Sequence, residues 1–228
     1  GHRERLRNRF LQHGLDGFHD HQMLELLLFY VIPRKDTNEI AHSLLERFGS
    51  LSAVLEAETE DLLQVDGIGQ NSAALLKLVP AICRAYLDDK YSDGEILNST
   101  EKAGNFLLSK FIGQKDEMVY LVCMDSKCRV QKTELVCRGS INVVAISVRK
   151  TVEIALRSGA SCVILAHNHP QGTALPSNRD ISTTIQIVKA MALINVHVND
   201  HIIVAGNDFV SLAESRQHRA IFLPDFTG

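Results

Sequence analysis

The feature that most constrains this chain is a change in hydrophobic rhythm near residue 90. Before it, apolar residues recur at three- and four-residue spacing in MLELLLFYVI, NEIAHSLLERF, SLSAVL, ETEDLLQV and NSAALLKLVPAICRAYL, with breaks at Pro33, Gly49, Gly67 and Gly69. That period keeps one helix face toward a core, so an all-α bundle of short helices is expected over residues 1–90. The stretch LDDKYSDGEIL (87–97) is polar, charged and turn-rich, and the domain boundary is placed there. After it the pattern alternates. EMVYLVCMD (117–125) and RVQKTELVCRG (129–139) read as a hairpin turning at residues 126–127, and SCVILAHNH (161–169) and VHVNDHIIVAG (196–206) as further strands. SVRKTVEIALRSG (147–159) and SNRDISTTIQIVKAMALIN (177–195) read as helices, and DFVSLAES (208–215) as a short last element. A second, α/β domain with a mixed central sheet is therefore expected over 98–228.

Composition removes several classes. No apolar run approaches the ~20 residues that cross a bilayer, so a membrane protein is not expected. The chain opens on GHRERLRNRF, with neither an initiator Met nor the apolar centre of a secretory signal, and is read as a fragment without one. Five cysteines, an odd number with no CxxC pair, point to reduced thiols and a cytoplasmic location. The net charge of -3 is divided unevenly. Residues 1–95 hold 10 Lys/Arg against 16 Asp/Glu and the remainder 14 against 11, so neither part is a polybasic surface.

The chemistry-bearing segment is HNHPQGTALPSNRD. His167 and His169 stand two apart at a strand end, and because strand side chains alternate, both imidazoles share a face. Asp180 lies in the first turn of the next helix, within reach as a third ligand. Three protein ligands with one open position mark a catalytic zinc site, where the metal would lower the pKa of water and polarise a carbonyl. Each part has an ordinary reading too. Ser177 and Asp180 form a capping-box-like S-x-x-D, and two histidines can simply end a strand. The combination H-x-H-x7-S-x2-D is expected by chance only roughly 0.002 times in a chain of this composition, which argues against coincidence.

That motif is the signature of the JAMM (MPN-plus) metalloproteases, and HNHPQG with PSNRD and DHIIV resembles their bacterial RadC branch. GHRERLRNRFLQHG, ELLLFYVIPRKDTNEIA and VDGIG resemble the RadC N-terminal region, so the likeness extends over nearly the whole chain. It implies a helix-hairpin-helix domain ahead of a cytidine-deaminase-like α/β/α JAMM domain. It also implies zinc on His167, His169 and Asp180, and Ser177 as the hydroxyl that steadies the oxyanion of a tetrahedral intermediate. Gln171 and Val148 depart from the usual family residues, a Ser and a Pro.

The resemblance further implies a glutamate on an upstream strand, acting as general base and then general acid. Glu134 in KTELVCRGS, five residues before Gly139, stands at the position where the resemblance places that residue, and a lone carboxylate on an otherwise apolar strand is costly unless used. The competing reading is an exposed edge-strand glutamate. Glu153 is the alternative base, but helical spacing sets it beside Lys150 and Arg157 as a surface partner. Asp200 and His201 are read either as partners of a zinc-bound imidazole or as a buried, satisfied polar pair.

In the N-terminal part, VDGIG (65–69) has the form of a hairpin whose glycines allow a tight turn and whose following helix start could accept a phosphate. Against DNA binding stand the net acidity of residues 1–95 and the scarcity of cations after the hairpin, where Lys77 alone follows closely. The run Arg3, Arg5, Arg7, Arg9 is either a basic cluster or a solvated helix face. Two functions follow: a zinc hydrolase cutting an amide in a protein or peptide, and a DNA-associated repair or recombination accessory protein. A zinc nuclease uses the same ligands. A nucleoside deaminase is disfavoured because its H-x-E and P-C-x-x-C signature is missing.

Overall fold

The computed structural model describes residues 1–90, 94–139 and 146–223. By contact density the chain divides into two compact units, Gly1–Cys83 and Arg84–Gly228. The division falls inside a helix, some residues before the polar 87–97 stretch, of which residues 91–93 lie outside the described residues.

The first unit is helical throughout its regular elements: α1 (His2–His13), α2 (Asp20–Leu28), α3 (Thr37–Phe48), α4 (Leu51–Glu56), α5 (Thr59–Leu62) and the start of α6 (Gln70–Lys90). Leu24, Leu28, Ile40, Leu44, Val54, Leu62, Ile68 and Leu76 form its core. The spacing of Leu24 with Leu28 and of Ile40 with Leu44 is the helical period that the sequence displays. Asp36 caps α3 by accepting from the amide of Asn38, and Gly49 ends it in the left-handed conformation. Of the two glycines in the 65–69 turn, Gly67 is the one whose backbone conformation calls for glycine. Gly67 has φ +87°, and a Cβ there would stand 2.6 Å from Ile40 Cδ1.

In the second unit a five-stranded sheet has the order β2-β1-β3-β4-β5. The strands are β1 (Glu117–Met124), β2 (Val130–Gly139), β3 (Cys162–Asn168), β4 (His197–Ala205) and β5 (Asp208–Ser211). β1 is antiparallel to β2 and to β3, β3 is parallel to β4, and β4 is antiparallel to β5, so the sheet is mixed as expected. Helices cover both faces. Val119, Leu121, Cys123, Val163 and Leu165 meet α8 (Val148–Arg157) and α9 (Asn178–Ala192) through Ile154, Ile187 and Met191. The alternate positions Met118, Val122, Met124 and Ile164 meet α7 (Thr100–Phe111) through Phe106, Leu107 and Phe111. β3 is buried along its whole length because both its faces are covered. α7 is absent from the sequence reading, although Ser99 at its N-cap and apolar residues at 103, 106, 107 and 111 announce it.

Candidate metal centre

The candidate site lies at the end of β3, where it passes beside the start of α9. His167 is the penultimate residue of the strand and His169 follows it, so the two-residue period sends both rings to one side. His167 Nε2 and His169 Nε2 are 2.9 Å apart, with Asp180 Oδ1 3.4 Å from the first and Asp180 Oδ2 3.7 Å from the second. One ligand atom from each residue lies within 4.8 Å of the others, the one such His/Cys/Asp/Glu cluster among the described residues.

Hydrogen bonds aim these groups. His169 Nδ1 is 2.9 Å from the carbonyl oxygen of Thr173, which can only accept, so the neutral ring carries its proton there and turns the Nε2 lone pair to the cluster. Ser177 is the N-cap of α9. Its hydroxyl donates to Asp180 Oδ2 at 2.7 Å and accepts from the Asp180 amide at 3.2 Å, while its own amide also donates to Oδ2. The capping carboxylate and the candidate metal-binding carboxylate are thus the same group, and the Ser177 proton is committed to Asp180 in this arrangement. His167 Nδ1 is 2.8 Å from His201 Nε2. Burial is the main reason that the His167 imidazole is pushed down to about 4 and that of His201 well below its usual value.

Between pH 6.5 and about 4 the unfolded chain takes up protons on these imidazoles that the folded metal-free chain refuses, so acidification through this window destabilises it. Metal-free protein is expected to melt at progressively lower temperature from pH 7 to pH 4.5. A melting temperature unchanged across that range would contradict the buried neutral pair.

Glu134 is not brought to the cluster. It pairs across the sheet with Leu121, whose β3 partner is Leu165, two residues before His167. β2 lies two strand spacings from β3, about 10 Å away. Its carboxylate is bound by Lys132 and Arg157, and Lys132 foremost holds it below the usual glutamate range, the wrong direction for a general base near neutrality. The carboxylate expected to serve as base thus pairs with two cations on the β2 side of the sheet. Glu153 sits on the exposed face of α8 and pairs with Arg149 at 2.8 Å, so it too is away from the cluster.

Glu117, which the sequence reading passed over, lines the pocket together with His167, His169, Ser177, Arg179 and Asp180. It opens β1 two residues before Val119, the cross-strand partner of His167, and therefore on the same face of the strand. Asn168, between the two histidines but turned to the other face, fixes that strand start. Its Oδ1 accepts from the Met118 amide at 2.7 Å and its Nδ2 donates to the Asp116 carbonyl at 3.1 Å, one bond on each side of Glu117.

Asp200 and His201, adjacent on β4, part ways. Asp200 accepts from the amides of His201 and Ala213 and from the Ser211 hydroxyl, which ties β4 to the chain after β5. Of the two, His201 is the one whose ring bonds His167. In the helical unit, two of the four N-terminal arginines fasten loops: Arg3 donates to the carbonyls of Ile32, Pro33 and Lys35, and Arg9 to that of Gly17. Lys77 donates to the carbonyls of Glu56 and Ala57.

The sequence is similar to known proteins over nearly its whole length. Residues 97–218 match the family described as RadC-like JAB domain, and residues 1–74 match the one described as UPF0758 N-terminal. A UPF0758 protein of Fusobacterium nucleatum subsp. nucleatum is 34% identical over 221 residues, which covers 94% of this chain and 95% of the relative. No helix among the described residues is long and apolar enough to cross a membrane.

Proposed function

We propose that this chain, which belongs to the RadC-like JAB-domain family, is a zinc-dependent hydrolase that cleaves an amide bond in a protein or peptide. The observation that carries the reading is the meeting of His167, His169 and Asp180 in one pocket that Glu117 also lines. The donor set suits zinc. A tetrahedral site with bonds of ~2.1 Å separates its ligand atoms by about 3.4 Å; His167 Nε2 lies 3.4 Å from Asp180 Oδ1 and 2.9 Å from His169 Nε2, near that value. Two imidazole nitrogens facing each other beside a carboxylate repel unless a cation or proton lies between them. Bound there, zinc supplies a Lewis acid that polarises a carbonyl and makes water more acidic.

The chain's own residues would act as follows. The Glu117 carboxylate accepts a proton from the water that adds to the amide carbon and delivers it to the nitrogen as the C–N bond breaks. Ser177 holds Asp180 Oδ2, which leaves Oδ1 turned to His167; it can donate to an oxyanion only by releasing that bond. Asn168 keeps the backbone around Glu117 in place. The reading is tested by screening the full chain against peptide and isopeptide substrates. Cleavage that stops on chelation and returns with zinc is expected, and cleavage indifferent to chelation would overturn it.

A nucleic-acid reading of the helical unit draws on the surface where Arg34 and Lys35 adjoin Gly67, Gly69 and the first residues of α6. The unit's acidity, and the carbonyls that engage Arg3, Arg9 and Lys77, favour the hydrolase.

A further inference from the structure

We propose that Thr184 sets the direction of a buried hydrogen-bond relay, Thr184 to His201 to His167, and thereby keeps the lone pair of His167 Nε2 aimed at the metal position; the inference rests on the metal-centre reading above. Thr184 Oγ1 lies 2.6 Å from the carbonyl oxygen of Asp180, one turn earlier on α9, and 2.6 Å from His201 Nδ1. His201 Nε2 lies 2.8 Å from His167 Nδ1. All three side chains are buried, and His201 has no exposed surface.

The direction follows from the end of the chain. A carbonyl oxygen only accepts, so the one hydroxyl proton of Thr184 occupies the bond to Asp180, and the Thr184 oxygen must accept from His201 Nδ1–H. No carboxylate bonds the His201 ring among the described residues, and an unpaired cation buried there would be costly, so the ring is neutral and carries only that proton. His201 Nε2 is then bare and accepts from His167 Nδ1–H. A neutral His167 with its proton on Nδ1 has its lone pair on Nε2, the atom 2.9 Å from His169 Nε2 and 3.4 Å from Asp180 Oδ1. The opposite polarity would put the proton on the ligand atom itself. The relay also links one ligand's ring on β3, through β4, to the backbone of another ligand on α9. Thr184 touches neither metal nor substrate and is a positioning residue.

The test compares Thr184→Val, Thr184→Ser and the unchanged chain. Valine keeps the shape of threonine but leaves His201 Nδ1–H without an acceptor, which favours the other tautomer and drives the proton onto His167 Nε2. Zinc affinity at pH 7, measured by competition with a chromogenic chelator, is expected to fall about 10- to 100-fold in Thr184→Val and to return within about 3-fold in Thr184→Ser. Nitrogen-15 NMR of the histidine rings in the unchanged chain, metal-free and zinc-loaded, is expected to show His201 protonated on Nδ1 and bare on Nε2. A His201 proton on Nε2 there, or wild-type zinc affinity in Thr184→Val, would overturn the proposal. An unchanged chain that binds no zinc would sink the metal reading, and the tautomer of its His201 would still decide the relay. Because the tautomer is read on the unchanged chain, the proposal stays testable if Thr184→Val fails to fold.

Discussion

Glu117→Gln is expected to lower kcat/KM on a cleavable peptide by about 10²- to 10⁴-fold while the chain still folds and keeps its metal, the range lost with a positioned proton-transfer group. Glutamine keeps the shape and polarity of the side chain at the start of β1 but cannot take a proton from water. The loss should fall on kcat. Glu134→Gln is the matched control, because its carboxylate pairs Lys132 and Arg157 two strand spacings from β3. That pairing is partly exposed, and its removal is expected to leave kcat within about 3-fold, as for a surface ion pair. Equal losses in the two variants would contradict the reassignment of the base from Glu134 to Glu117.

The largest effect on stability is expected from Leu165→Ala. Leu165 is 1% exposed, stands in the middle of the strand that carries His167, and packs in the core formed with α8 and α9. Shortening it removes buried apolar area and leaves a cavity that a strand held on both edges cannot close. About 3 kcal/mol is expected to be lost, a large share of the 5–15 kcal/mol that holds a typical domain together. Denaturant titration of the metal-free chain, read by a spectroscopic signal from the second unit, checks this. A loss under about 1 kcal/mol would mean that the two helices do not clamp the strand as described.

These expectations show how far the sequence could be read. The two histidines were legible because strand alternation puts residues 167 and 169 on one face whatever the rest of the fold does. Asp180 was legible as a first-turn acid, and its capping and ligating readings prove compatible, since Ser177 holds one carboxylate oxygen and leaves the other toward His167. Glu134 stands among apolar residues, so the sequence alone does not display its ion pairs. Lys132, two residues away and so on the same strand face, was the nearest signal of a partner. Glu117 could not be chosen from its neighbours alone. What brings it to the histidines is the position of β1 between β2 and β3 and its register with β3, both fixed by contacts far apart in sequence. The same holds for His201 and Thr184, 34 and 17 residues from the groups they meet. Local rhythm carried the choice of elements; pairing order was legible only in the folded chain.

The central claim is that His167, His169 and Asp180 hold one zinc ion. It is tested most directly by an anomalous-difference map recorded on both sides of the zinc absorption edge from crystals of zinc-replete protein. One peak about 2.0–2.2 Å from His167 Nε2, His169 Nε2 and an Asp180 oxygen is the predicted result. A map with no peak there, or zinc held by other residues, would contradict it.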